Sequence, residues 1–211
     1  TSVVQEWRTT DAAIYESRRP GPPWDTSQNW HGFAADFEAG RLAEARIEEG
    51  GGYEWISGLL LDRETGYRVD YRSETYRMAA TSFDVEVLEA AAWSPIILLR
   101  WLDKRRHTVA YAGRRGSAGA EVDVLSVGNG DEEALVVVDR DSGQVRSLER
   151  SYTDFDGSRV PIRYDYVEMT DTNGLRYPQA VEVWIHGHLA RRGTLVAMQV
   201  DQDIDAHLRL P

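Results

Sequence analysis

The chain has 211 residues, of which 24 are basic and 35 acidic, so its formal net charge is −11. A strongly acidic chain is repelled by phosphate backbones, and its basic clusters are short, which argues against nucleic-acid binding. The absence of cysteine excludes disulfides, thiolate nucleophiles and zinc sites with Cys ligands. No apolar run approaches the roughly 20 residues of a membrane-spanning helix, and 42% hydrophobic residues is typical of a globular protein.

Short alternating segments separated by Gly- and Asp-rich turns predict a meander of antiparallel strands, rich in Trp and Tyr. The first predicted strands cover residues 3–14, 30–39, 42–49, 53–62 and 67–78. A Pro- and Gly-rich loop over 18–29 separates the first two of them. Because the sequence contains no domain linker, we predict a single domain over residues 1–211.

Two of the predicted hairpins share one sequence plan, LLLDRETGYRVDY (59–71) and VVVDRDSGQVRSL (136–148). In each, three apolar residues lead into an Asp-Arg-acid-hydroxyl-Gly turn. The Asp side chain can accept hydrogen bonds from the turn backbone, and Gly66 and Gly143 can adopt a positive φ. We therefore predict hairpin loops of four or five residues at both places.

The middle of the chain is predicted to be helical. Residues 84–92 are compatible with a helix, and Ser94 and Pro95 suit the cap and the first turn of another. The basic residues 104–106 suit the C-terminal end of that second helix. The strands predicted after it cover residues 107–112, 121–127, 133–139, 144–153, 160–169, 175–187 and 194–201.

The order of these parts resembles the outer-membrane lipoprotein-carrier (LolA-like) superfamily. Within it, the nearest resemblance is to the β domain that precedes the catalytic domain in some bacterial metallo-β-lactamase-fold proteins. The segments that carry it are LLLDRETGYRVDY, SPIILLRWL (94–102), ALVVVDRDSGQVRSLE (134–149), NGLRYPQAVEVWIHGHL (173–189) and VAMQVDQDIDAHLRLP (196–211). The resemblance implies a mainly β fold with a few helices: a strongly curved antiparallel sheet, an unclosed half-barrel, with helices plugging its concave face.

The sequence predicts no catalytic residue, metal ligand or cofactor. His186 and His188 form the single His-x-His, and the further His and Asp residues that a metallo-β-lactamase needs just downstream are absent from the sequence. No Gly-x-Ser-x-Gly elbow occurs. The segment 128–130 is typical of a hairpin turn and not of a phosphate cradle, since no strand-to-helix junction follows it.

Aromatic side chains are the remaining indication of a site, because they favour concavities that bind ligands. For any single tryptophan, packing in the core is the competing interpretation. The predicted binding residues are Trp7, Trp55, Trp93, Trp101, Tyr111, Trp184, Arg100 and His107.

The function that these observations favour is a non-catalytic binding or accessory domain that holds a lipid or other apolar small molecule in a concave sheet. The alternative is the substrate-entrance or dimerisation part of a metallo-β-lactamase-fold hydrolase whose catalytic domain is a separate or missing chain. A third hypothesis is a lyase or hydrolase that uses Arg100, His107 and Tyr111. The chain begins at Thr1 without Met, which we interpret as removal of a signal peptide or trimming. The resemblance implies a periplasmic or secreted bacterial protein.

Overall fold

The computed structural model describes residues 2–12, 22–50, 53–62, 65–70, 72, 74–78, 88, 91–105, 109–116, 121–128, 133–154, 156–172 and 175–201. The strands before the helix are β1 (Ser2–Ala12), β2 (Thr26–Asp36), β3 (Arg41–Gly50), β4 (Tyr53–Asp62), β5 (Thr65–Val69) and β6 (Thr75–Arg77). The helix α1 (Pro95–Arg105) follows them. The strands after it are β7 (Val109–Arg115), β8 (Val122–Val127), β9 (Ala134–Asp139), β10 (Val145–Thr153), β11 (Arg159–Thr172), β12 (Leu175–Ile185) and β13 (His188–Val200).

The thirteen strands formed by the described residues belong to one sheet, in the order β6-β5-β4-β3-β2-β1-β13-β12-β11-β10-β9-β8-β7. Each strand pair with a described register is antiparallel. Because β6 and β7 stand at the two ends of this order, the sheet is open. A mainly β fold with an unclosed antiparallel sheet is therefore confirmed, whereas helices on a concave face stay a prediction. Among the residues described, no helix is long and apolar enough to cross a membrane.

The chain divides into two compact units. The first unit comprises residues 1–104 and 191–211, and the second comprises residues 105–190. Strand β13 contributes to both, since the boundary falls at Arg191. The single domain expected over 1–211 stays a prediction.

In the first unit, one buried apolar row crosses four adjacent strands. Its members are register partners in succession, namely Val3, Ala35, Leu42 and Leu61, and all four are buried. Alternate residues of a strand point to opposite faces, so this row fixes which positions of β1 to β4 share its face. Trp7 and Phe33 lie on that same face.

In the second unit, an equivalent apolar row crosses β8 to β12. Its members are Leu125, Val136, Leu148, Tyr164 and Val183, each the register partner of the next. All but Leu125 are buried. Burial of these side chains is the main source of stability for a sheet of this kind.

The helix α1 begins as the sequence predicts. Its first residue is Pro95, and the Oγ atom of Ser94 accepts a hydrogen bond from the backbone N–H of Ile97 at 3.4 Å. A serine in this position satisfies one of the backbone donors that the first helical turn leaves free. The other predicted helix, over 84–92, falls almost entirely outside the residues described.

The second of the two similar hairpins folds as predicted. Its loop has five residues, between Asp139 at the end of β9 and Val145 at the start of β10. Gly143 has a φ of 70°, a conformation that glycine adopts without steric cost. The Oδ1 atom of Asp139 accepts hydrogen bonds from the N–H and the hydroxyl of Ser142, at 2.9 and 2.6 Å.

The prediction for the first hairpin is wrong. Asp62 pairs with Thr65, so two residues remain for the loop, and Gly66 lies within β5 opposite Leu61. The hydrogen-bonded ladder between β4 and β5 therefore extends closer to the turn than the ladder of the second hairpin does. Gly66 is therefore needed as a strand residue and does not have a positive φ.

Candidate functional site

Two of the predicted binding residues, Trp7 and Trp93, contact each other in the first unit. Their ring centroids lie 6.2 Å apart and the ring planes are tilted by 57°. Trp7 is on β1 and is 0% exposed, while Trp93, just before α1, is 2% exposed. Trp93 also covers Gly193 of β13, where a Cβ atom would come within 2.7 Å of the indole Cζ3. The segment before the helix is thus fixed against the sheet by one tryptophan.

Replacing Gly193 by alanine should lower the free energy of unfolding by about 1–3 kcal/mol, because an added methyl group forces a side chain in a packed core to move. Urea-induced unfolding measures this loss. In the double variant Gly193→Ala/Trp93→Phe, the smaller ring leaves the Cζ3 position empty, so the two substitutions should cost less together than the sum of their separate effects. If the loss of stability in the double variant equals the sum of the two single losses, Trp93 does not pack against Gly193 as described.

His31 on β2 forms a buried pair with Glu44 on β3. The imidazole lies edge-on to Trp93, with ring centroids 5.0 Å apart. Burial lowers the pKa of His31 below its usual 6.5, although Glu44 opposes the shift. Burial acts to raise the pKa of Glu44, but His31 and nearby arginines hold it below its usual 4.5. At neutral pH the pair is therefore a neutral imidazole whose Nε2–H donates to the Glu44 carboxylate.

Asp11 connects two arginines next to this pair. Its Oδ2 atom accepts hydrogen bonds from Arg46 at 2.7 Å and is 2.5 Å from the Nη2 atom of Arg191. The Asp11 side chain is 13% exposed, and the two arginine side chains are 25% and 24% exposed. The Arg191 guanidinium also lies 5.5 Å from the ring centroid of Trp93, which is a cation–π contact. The ionic network is thus attached to the aromatic pair.

Five buried side-chain atoms on the same face have no hydrogen-bond partner in the part of the chain that the structure describes. They are Gln5 Oε1, Trp7 Nε1, Asp11 Oδ1, Asn29 Oδ1 and Arg191 Nε. Gln5 and Asn29 are both buried, and the register places them in the rows on either side of the Trp7–His31 pair. Buried polar groups are normally hydrogen-bonded, so this face has spare capacity to bind a polar group.

Lowering the pH should destabilise the protein partly through His31. Because folding lowers the pKa of His31, the unfolded chain takes up the proton first, and the free energy of unfolding falls as the pH drops below 6.5. Glu44 adds a further loss below 4.5. Urea unfolding of His31→Gln should show a smaller slope between those two pH values than the unsubstituted protein. The exposed His188→Gln is the control, and equal slopes in the two variants would contradict the assignment.

The other predicted binding residues are placed elsewhere or lie outside the description. Arg100 is exposed on α1 in the first unit. In the second unit, Tyr111 on the edge strand β7 is 60% exposed, and Trp184 on β12 is covered by Arg163 at 5.4 Å from its ring centroid. The side chains of Trp55 and Trp101, and the whole of His107, are outside the described residues.

The polar members of this site are not among the binding residues predicted from the sequence; they are Asp11, His31, Glu44, Arg46 and Arg191. The sequence does contain one indication of them: in β3, Glu44, Arg46 and Glu48 alternate with Ala43, Ala45 and Ile47, which separates the two faces of the strand. We found no group of three or more His, Asp and Glu side chains suited to a metal ion within the described ranges.

Comparison with known proteins shows the fold. No family model matches the chain, and no curated protein matches its sequence. The structure is similar to that of a LolA superfamily protein from Nitrosomonas europaea, with a TM-score of 0.63 and 10% identity over 99% of this chain and 90% of that one. The LolA-like fold predicted from the sequence is therefore confirmed, and the metallo-β-lactamase association stays a prediction.

Two further solved structures are more distant. An uncharacterised conserved protein from Thermus thermophilus gives a TM-score of 0.36 at 8% identity, over 98% of this chain and 85% of that one. MucB in complex with MucA(peri) gives 0.27 at 12% identity, over 100% of this chain and 54% of that one. These scores are too low to support an argument.

Proposed function

We propose that this chain is a non-catalytic binding domain for a lipid or another apolar small molecule that carries one polar end. The observation behind this proposal is the joint presence, on one sheet face, of the Trp7–Trp93 contact and of buried polar atoms with spare hydrogen-bonding capacity. The apolar part of the ligand would take the place of the Trp93 ring against Trp7. Its polar end would bind Gln5, which lies in the row next to Trp7. The LolA-like fold is compatible with this function by analogy only.

Binding of such a ligand requires Trp93 to move, because both tryptophans are buried in the structure. We propose that Trp93 and α1 act as a plug on this face. An aromatic side chain of this size buries roughly 150–250 Å², which a hydrocarbon chain could replace at little net cost. Arg191 and His31 contact the Trp93 ring and would hold the plug in place when no ligand is present.

The test combines native mass spectrometry of the purified protein, after incubation with a total lipid extract, with titration of the uncharged fluorescent probe N-phenyl-1-naphthylamine. We expect a bound ligand mass and saturable binding of the probe. Trp93→Phe removes part of the plug and should raise the affinity for the probe, and Trp93→Ala should raise it more. The control is Tyr152→Ala, an exposed aromatic residue of the second unit, which should bind the probe as the unsubstituted protein does.

Two outcomes would contradict different parts of the proposal. If neither a ligand mass nor probe binding is found in any variant, the binding function is wrong. If the probe binds but both Trp93 variants bind it no better than the unsubstituted protein, the proposal that Trp93 acts as a plug is wrong.

The alternative from the sequence is an accessory role beside a metallo-β-lactamase-fold chain, at its substrate entrance or its dimer contact. This alternative predicts co-purification with a polypeptide that contains His-x-His-x-Asp-His. A periplasmic or secreted location is part of both proposals. Fractionation of cells that express the full-length protein tests it.

A further inference from the structure

We infer that the second unit has a binding site of its own, for a small molecule that carries an oxyanion, a carboxylate or a phosphate, on an apolar body. The site is a groove of about 630 Å³, a volume in the usual range for small-molecule sites. We call it the Arg163 groove, after the cation on β11 that lines it. It is separate from the site proposed on the first unit, since its lining residues lie between Glu133 and Gly187.

Most of the lining lies on the sheet face opposite the buried apolar row of β8 to β12. Leu135, Glu149, Arg163 and Trp184 are successive register partners across β9 to β12. Each is one residue away from a member of the buried row, so the alternation within a strand turns it to the other face. All four line the groove, together with Pro161. The groove therefore offers apolar surface next to a guanidinium.

The Arg163 guanidinium is held on one side and open on the other. Its Nε atom donates a hydrogen bond to Asp165 Oδ2 at 3.0 Å, and its Cζ atom lies 5.4 Å from the ring centroid of Trp184. Among the residues that the structure describes, neither Nη1 nor Nη2 of Arg163 has a hydrogen-bond partner. The side chain is 48% exposed, so a ligand can reach these two nitrogens.

The carboxylates near Arg163 leave its Nη atoms without a partner. Glu149 is directly opposite Arg163 in the register of β10 and β11, yet its two oxygens accept hydrogen bonds from Arg115. Glu133 also lines the groove but is exposed, so solvent and salt screen its charge. The terminal N–H groups of an arginine match the paired oxygens of a carboxylate or phosphate, and such charge-assisted hydrogen bonds are the stronger kind.

Two further donors belong to residues of the lining, Nε1 of Trp184 and Nε of Arg150. Both atoms are shielded from solvent, so a ligand in the groove would not reach them. Arg150 and Arg159, which also line the groove, have interactions of their own. We therefore assign the contact with the oxyanion to Arg163 alone, and the support of its guanidinium to Trp184 and Asp165.

The experiment compares three probes with the same aromatic body, at pH 7.5 and low salt, by isothermal titration calorimetry. They are 2-naphthoate, 2-naphthyl phosphate and the neutral 2-naphthamide. We expect both anions to bind at least about tenfold more tightly than the amide, and the tighter of the two identifies the oxyanion. An amide that binds as tightly as the anions, or no binding of either anion, would overturn the inference. The proposed function, which depends on the first unit, would still stand.

Substitutions then locate the bound anion. Arg163→Met should weaken binding of 2-naphthoate by about tenfold, because the charge-assisted hydrogen bonds are lost. The matched control is Arg140→Met, another exposed arginine of the second unit that is paired with one carboxylate, and it should leave the affinity unchanged. Thermal unfolding checks that both variants are folded. Equal affinities in the two variants would overturn the assignment to Arg163.

A third variant separates this groove from the site proposed on the first unit. Trp93→Phe alters only the first unit and should leave the affinity for 2-naphthoate unchanged, although we expect it to raise the affinity for N-phenyl-1-naphthylamine. If Trp93→Phe changes binding of 2-naphthoate and Arg163→Met does not, the anion binds in the first unit, and the separate site is wrong.

Discussion

Replacing Trp93 by alanine should lower the free energy of unfolding by about 3–5 kcal/mol, the usual loss for a fully buried aromatic residue. The ring contacts Trp7, His31 and Arg191, so the substitution leaves a cavity beside Trp7 and His31, which are themselves buried. Urea-induced unfolding followed by circular dichroism measures the loss without relying on tryptophan emission. Trp93→Phe should give an intermediate value.

The control for this experiment is Trp184→Ala. Trp184 is partly exposed in the second unit, and its described ring contact is with the exposed side chain of Arg163. Removal of a partly exposed ring loses less buried area, so we expect a clearly smaller loss of stability. A Trp93→Ala variant as stable as Trp184→Ala would contradict the packing described for Trp93.

Replacing Asp11 by alanine should cost about 2–4 kcal/mol, because it leaves Arg46 and Arg191 close together with no shared counter-ion. The arginine side chains are about a quarter exposed, which places the expected loss below that of a fully buried pair. Denaturant unfolding at neutral pH measures it. The double variant Asp11→Ala/Arg191→Met should recover part of the loss, since it also removes one of the unpaired charges.

The matched control for Asp11 is an ion pair on the surface of the second unit. The Nη1 atom of Arg115 donates hydrogen bonds to both carboxylate oxygens of Glu149, at 2.7 and 3.0 Å. The Arg115 side chain is nevertheless 48% exposed. Exposed pairs contribute little, so Glu149→Ala should change stability by about 1 kcal/mol or less. If Asp11→Ala and Glu149→Ala lower the free energy of unfolding equally, the Asp11 network contributes no more to stability than an exposed ion pair does.

Local features of the sequence predict much of this fold. The Ser94-Pro95 pair marks the start of α1, and the Asp139 and Gly143 positions define the loop between β9 and β10, because each depends on a single residue type at a single place. The first similar hairpin is mispredicted because loop length depends on how far the strand ladder extends. Residues outside the turn set that distance.

The polar part of the site illustrates a different limit. Alternation in β3 shows that Glu44 and Arg46 share a face, but it does not show which face is covered. Charged residues usually indicate the solvated side, and here they lie beside buried aromatics. The covering group, Trp93, and one arginine of the network, Arg191, come from distant parts of the sequence. Trp93 and Arg191 come into contact because of the order of the strands in the sheet, and no local sequence pattern encodes that order.

The adjacency of β1 and β13 in the sheet also has a consequence for biosynthesis. These strands are far apart in the sequence, yet they pair in antiparallel register from Val3–Val200 to Asp11–Arg191. All of the second unit, residues 105–190, leaves the ribosome before β13 is complete, and such long-range pairings form slowly because the intervening chain must first be ordered. Strand β1 therefore waits, with one edge unpaired, until β13 has been synthesised. During that interval chaperones have their best opportunity to bind it, and aggregation its best opportunity to begin.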